Sequence, residues 1–138
     1  MGASGMIRGI LASEADQWWP RVDHWIVDAL SYSSGLLSLE DVKSAVRDRN
    51  FQLWVVEGPK AVCITEIRVW PQGKCLTVIL LGGENMAEWI SELDEVLVRF
   101  AKSNECKVMD CHGRKGWGMK LKSLGFSESL VTYFKEVI

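Results

Sequence analysis

No apolar run in this 138-residue chain approaches the ~20 residues that a bilayer-spanning helix needs, so no membrane partner is expected. Neither sign of charge dominates. Sixteen Lys and Arg face 18 Asp and Glu, a formal net charge of −2, and no global field draws the chain to nucleic acid or an anionic surface. The four cysteines, Cys63, Cys75, Cys106 and Cys111, contain no Cys-x-x-Cys pair. With no secretory apolar segment ahead of them, they read as reduced thiols of an intracellular protein. Cys106 and Cys111 are five apart on an expected strand, which sends them to opposite faces. That makes a poor zinc pair, His112 next door does not repair it, and no metal is expected. Met1-Gly2 starts like a myristoylation signal, but Met6 stands where Ser or Thr is required. Repeats, low-complexity tracts and internal linkers are also missing. The expected organisation is one domain over residues 6–138 behind a flexible lead, residues 1–5.

What is present is an ordinary globular balance, 48% hydrophobic and 25% charged, with a high count of seven tryptophans. Most of these rings are expected to fill the core. Trp18 and Trp19 are adjacent, and two neighbouring rings cannot share one helical stripe. One of them is therefore expected at the surface, facing a partner.

Along the chain, Ile7 to Leu11 reads as a first strand. Ser13, ahead of Glu14 and Asp16, suits a helix start, and Pro20 fits its first turn. Ser38 with Asp41 three residues on is a capping-box pattern for a second helix ending at Asn50. Phe51 to Glu57, Lys60 to Trp70 and Lys74 to Leu81 read as three strands joined at Gly58-Pro59 and Pro71-Gln72-Gly73, an antiparallel meander. Gly82-Gly83 ends it. Asn85 to Ser103 is the longest helix, with Met86, Trp89, Ile90, Leu93, Val96, Leu97 and Phe100 on one stripe. Lys107 to Cys111 is a further strand, a short amphipathic helix follows Gly113, and Leu130 to Val137 is the expected last strand. The order β-α-α-β-β-β-α-β-α-β implies an α/β fold with helices on both faces of one mixed sheet.

Three segments carry a resemblance. Phe51-Gln52-Leu53-Trp54-Val55-Val56-Glu57 enters a hairpin. Leu80-Leu81-Gly82-Gly83-Glu84-Asn85-Met86-Ala87-Glu88-Trp89 turns from strand to helix. Gly113-Arg114-Lys115-Gly116-Trp117 leads through a helix to Leu124-Gly125-Phe126. In this order and spacing they resemble the GNAT (acyl-CoA N-acyltransferase) superfamily, closest to the small GNAT-like proteins of tailed bacteriophages and prophages. The resemblance implies acetyl-CoA as cofactor, with host cytoplasm or virion as location. It also implies either an amine acyltransferase or a virion or assembly component that binds another protein.

Such an enzyme holds the cofactor pyrophosphate on backbone amides at the start of the long helix, where the dipole favours anions. Here that place offers Gly82, Gly83 and Asn85, with Arg114 and Lys115 on the following short helix as further candidates. The bare alternative is that the two glycines only permit a tight turn. The basic or amide residue that the family carries ahead of the glycines is replaced by Val78-Ile79-Leu80, and Glu84 brings a carboxylate towards the phosphates. The candidate base is Glu66, which alternation puts beside Arg68, so a plain ion pair competes with catalysis. Asp110 and His112 are secondary candidates. The tyrosine that usually serves as acid is Leu121 here, and Tyr133 on the expected last strand does not replace it. These departures imply weak or absent catalysis. Arg114, Lys115, Lys120 and Lys122 also read as an ordinary solvated helix face, and no nucleic-acid role is expected.

Overall fold

A computed structural model describes residues 6–137. The first five residues, expected as a lead, lie outside the described residues. The elements are β1 (Ile7–Ile10), a 3₁₀ segment (Ala12–Gln17), α1 (Trp19–Leu30), α2 (Leu39–Arg47), β2 (Phe51–Val56), β3 (Ala61–Trp70), β4 (Gly73–Gly83), α3 (Met86–Ser103), β5 (Cys106–Cys111) and α4 (Gly118–Ser123). The strands form one sheet in the order β1-β2-β3-β4-β5. The first three junctions are antiparallel, and β4 to β5, bridged by α3, is parallel. This is the mixed sheet that the element pattern implies.

Alternation along the meander divides the core in two. Leu53, Val55, Val62, Ile64 and Leu80 pack under α1 and α2 with Val22, Ile26, Val42 and Val46. Trp54, Val56, Cys63, Leu76 and Val78 pack under α3 with Trp89, Leu93 and Leu97. The helical stripe read from α3 lies wholly in the second layer. Three local signals are realised as expected. Asp41 N donates to Ser38 Oγ (3.1 Å) and Ser38 N to Asp41 Oδ2 (2.9 Å), a complete capping box. Pro20 sits in the first turn of α1. Gly125, at φ 93°, ends α4, with Gly125 N bonded to Lys122 O and Phe126 N to Leu121 O, both at 3.0 Å.

Three expectations are corrected. Leu130–Val137 forms no strand; every residue from 127 to 137 is exposed and outside regular structure. Sequence alternation can show that a segment could be a strand, but pairing needs an edge within reach. Trp18 and Trp19 are both buried, at 7% and 5% exposure. Trp18 lies at the joint between the 3₁₀ segment and α1, where the change of winding lets neighbouring rings enter the same layer. The guanidinium of Arg21 covers the Trp18 ring at 4.5 Å. Cys106 and Cys111 share a face. The register steps from Lys74↔Cys106 to Cys75↔Val108, so Lys107 is an extra residue and the bulge reverses the alternation. Both thiols pack on the α3 layer.

Candidate functional site

The sheet opens where β4 and β5 part. Their pairing runs from Lys74↔Cys106 to Val78↔Cys111, and His112 N still reaches Val78 O at 3.1 Å. Beyond that point β4 continues to Gly83 beside β3 alone, while the chain after β5 turns into residues 112–117. At the parting point β4 carries a bulge. Ile64 pairs with Leu80 and Thr65 with Val78, which leaves Ile79 as the extra residue. The apolar Val78-Ile79-Leu80 stretch is thus a place where main chain, not side chain, is offered.

β4 then ends at Gly82-Gly83. Both glycines answer to packing. A Cβ on Gly82 would lie 2.8 Å from the carbonyl oxygen of Trp25 on α1, and Gly83 (φ 151°) lies against Ala61. The bare turn reading of the pair therefore has a full physical account. Gly82 is buried while Gly83 remains exposed. Asn85 enters α3 in the left-handed region (φ 56°), and its side chain caps no amide. The amides of Met86 and Ala87 open the helix, where no upstream helical carbonyl can reach them. The neighbouring polar groups are largely engaged. Glu84 N donates to Lys60 O (2.8 Å), Trp89 Nε1 donates to Glu84 O (2.7 Å), and Lys60 Nζ pairs with Glu88 Oε1 (3.0 Å).

Gly82, Gly83 and Asn85 thus meet at one corner. Arg114 stands against the end of α1. Its guanidinium lies 3.5 Å from Asp28 Oδ2, 4.0 Å above the Tyr32 ring and 5.3 Å from the Trp117 ring. Lys115 is exposed and forms no ion pair among the described residues. The Arg114 cluster escaped the sequence reading because Asp28 and Tyr32 are more than eighty residues away and carry no periodic signal.

Glu66 is on β3, and its ion pair with Arg68 forms as alternation predicts, Nε to Oε1 at 2.8 Å. Cross-strand register places Phe51, Glu66, Thr77 and Asp110 in one row over four strands. Directly opposed residues share a face, so Glu66 and Asp110 flank the buried Thr77 hydroxyl. Cys75, on the same face, has its Sγ 3.7 Å from Thr77 Oγ1. Burial first, and then the Asp110 carboxylate, raises the Cys75 thiol above its ordinary range. Leu121 is half-buried on α4, and Tyr133 is fully outside the core.

This architecture matches solved structures along nearly its whole length. A probable acetyltransferase superposes with a TM-score of 0.71 at 11% identity, over 96% of this chain and 97% of that one. The fold is that of the GNAT acetyltransferases. An aminoglycoside acetyltransferase, meta-AAC0020, from an uncultured soil metagenomic sample matches equally well, with TM-score 0.71, 11% identity and 96% and 95% of the two chains. Glucosamine-6-phosphate N-acetyltransferase from Arabidopsis thaliana follows with TM-score 0.62 and 14% identity, over 94% of this chain and 96% of that one. No model of a known protein family matches the sequence, and no curated relative matches it. The β4 bulge and the α3 corner are the candidate site. Among the described residues no group of acidic, His or Cys side chains is arranged to hold a metal ion.

Proposed function

We propose that this chain is an acetyltransferase-like protein of the GNAT fold that binds acyl-CoA weakly and transfers its acyl group to an amine slowly. The observation that carries the reading is the corner itself. Uncapped opening amides of an 18-residue helix stand beside exposed Gly83 where the parallel strands have parted. Such amides fit a diphosphate without any side chain. Gly83, Asn85, Met86 and Ala87 would hold it. Bound there, acyl-CoA supplies a thioester-activated acyl group. Glu84 and Glu88 oppose the anion, and Lys60 offsets only Glu88. At ~4 Å one uncompensated carboxylate costs about 1 kcal/mol in water and more at lower dielectric, which keeps affinity low. Glu66 takes the proton of an acceptor amine through water, with Arg68 held on one oxygen of its carboxylate. Leu121 has no proton to give a departing thiolate, so solvent supplies it.

Titration calorimetry with acetyl-CoA and with CoA tests this. Ala87→Asp is the informative variant, since position 87 is exposed and an acidic residue suits a helix start. Wild type is expected to bind both ligands, and Ala87→Asp about tenfold or more weakly at unchanged Tm. Absence of heat with wild type even at millimolar ligand would remove the reading. Gly83→Asp is unsuitable, because its φ and the Ala61 contact would unfold the corner instead.

A second reading, a phage virion or assembly component without catalysis, draws on the β3–β4 hairpin tip. Val69 and Trp70 are exposed there, to 77% and 60%. Mass spectrometry of purified virions from the source would find the chain if this holds.

A further inference from the structure

A cleft of about 440 Å³ lies at the end of the sheet remote from the α3 corner. It exists because β2 starts ahead of its partner. β1 stops at Ile10, opposite Leu53, so Phe51 and Gln52 run two residues further while the chain from Leu11 turns into the 3₁₀ segment. The end of α2 closes the third side. Ile10, Leu11, Val46 and Phe51 give apolar walls, and Leu11 is left 65% exposed. The polar lining is Ser13, Arg49 and Gln52. No carboxylate lines the cleft, and Arg49 forms no ion pair among the described residues. Trp54 Nε1 has only a proton to give, so Thr65 Oγ1 accepts from it and donates to Gln52 Oε1. That fixes the Gln52 amide with its oxygen on Thr65 and leaves its NH₂ as the free end. Positive charge and donors thus stand beside bare hydrocarbon.

Arg49 also occupies a position that suits glycine better. α2 ends in a Schellman turn. Asn50 N reaches Ala45 O at 2.8 Å, Arg49 N reaches Val46 O at 3.0 Å, and Arg49 takes the left-handed φ of 65°. Glycine adopts this conformation freely, whereas a Cβ there is strained. The strain brings a guanidinium to the cleft.

We infer that this cleft binds a monocarboxylate with an apolar body, the chemistry of a medium-chain acid. The planar fork of Arg49 meets both carboxylate oxygens. Ser13 and the Gln52 amide supply further donors, and the hydrocarbon covers Leu11, Val46 and Phe51. The volume falls in the range of about 300–1,000 Å³ usual for small-molecule sites. A phosphate would leave its second charge unmatched and the apolar walls wet. The inference stands apart from the acyl-CoA reading. Val56 pairs with Ala61, and Ala61 with Gly83 of the corner, whereas Phe51 lies about 16 Å back along β2.

Amide NMR spectra of the full chain, titrated with octanoate to low millimolar concentration, test it. Wild type is expected to show saturable shifts in residues 10–13 and 46–52. Octanol, which lacks the charge, and acetate, which lacks the body, are expected to bind about tenfold more weakly or less. Arg49→Gly relieves the turn, so its Tm is expected at or above that of wild type while octanoate binding falls about tenfold or more. Leu11→Asp, at an exposed wall position, is expected to weaken octanoate at unchanged fold. Absence of saturable shifts overturns the inference, as do shifts confined to the α3 corner. Octanol binding as well as octanoate, or an Arg49→Gly variant that binds like wild type, overturns it too.

Discussion

Thr65 is one of two fully buried polar side chains among the described residues, and it joins two neighbours across the meander. Trp54 Nε1 donates to its hydroxyl at 3.0 Å, and the hydroxyl donates to Gln52 Oε1 at 2.8 Å. Trp54 also meets Phe100 of α3 edge to face, with ring centroids 5.0 Å apart, so one hydroxyl orients the ring on which the α3 layer rests. Thr65→Val keeps the shape and removes both bonds. The indole N–H is then left dry and unpaired, and the expected loss is about 1–3 kcal/mol in urea unfolding. A variant within a few tenths of wild type would mean that Trp54 finds another acceptor. Glu66, the next residue, shows the limit of reading chemistry from residue type. Alternation predicts its contact with Arg68, and that contact engages one oxygen of the carboxylate on which catalysis would depend. Asp110 and Thr77 complete the row beside it only through strand register, which no local pattern encodes.

At the scale of elements, what was legible in the sequence was what short-range physics decides. The Ser38–Asp41 box, Pro20, the α3 stripe and Gly125 each act within about one or two helical turns, and each is found in place. The misread features depend on partners far along the chain. The Lys107 and Ile79 bulges exist only relative to a neighbouring strand, the Trp18 joint only relative to the core, and the last strand only if an edge accepts it. The candidate site follows the same division. Its helix start was readable, but the strand parting and the Arg114–Asp28 contact were not. The α2 cap is the element whose own energetics are simplest to test. Backbone and side-chain bonds from Ser38 hold the Asp41 carboxyl below its ordinary value of 3.8. A depressed carboxyl stabilises the fold above the ordinary value, and that stability disappears as pH falls through the lowered one. Ser38→Ala is therefore expected to lower Tm by about 3–5 °C near neutrality, with the difference from wild type shrinking in acid, in scanning calorimetry at both pH values. A difference that stays constant into strong acid would show that the cap acts through the bond from Asp41 N to the Ser38 hydroxyl, with no part for the Asp41 charge.

For the whole molecule, the two-layer core sets how the fold meets alkali. Cys63 and Cys111 lie in the α3 layer, Cys63 on β3 and Cys111 at the end of β5. Burial pushes the Cys63 thiol far up, and the nearby Cys111 adds to it. Burial, with Asp110 beside it, raises Cys111 to about 11 from an ordinary 9.0. Cys75 and Cys106 are also raised, chiefly by burial, the latter against the pull of Lys74. A raised thiol keeps its proton in the folded chain where the unfolded chain has already lost it. Between those two values the unfolded state binds fewer protons, so stability falls as pH climbs. Below 9.0 the contribution is fully present. The urea midpoint is thus expected to hold from neutral pH to about 9 and then drop steeply towards about 11. The double variant Cys63→Val/Cys111→Val keeps the apolar packing and removes the two thiols. Its midpoint is expected to decline more gently over the same range. Parallel declines in the two proteins would show that Cys63 and Cys111 take no part in the alkaline loss.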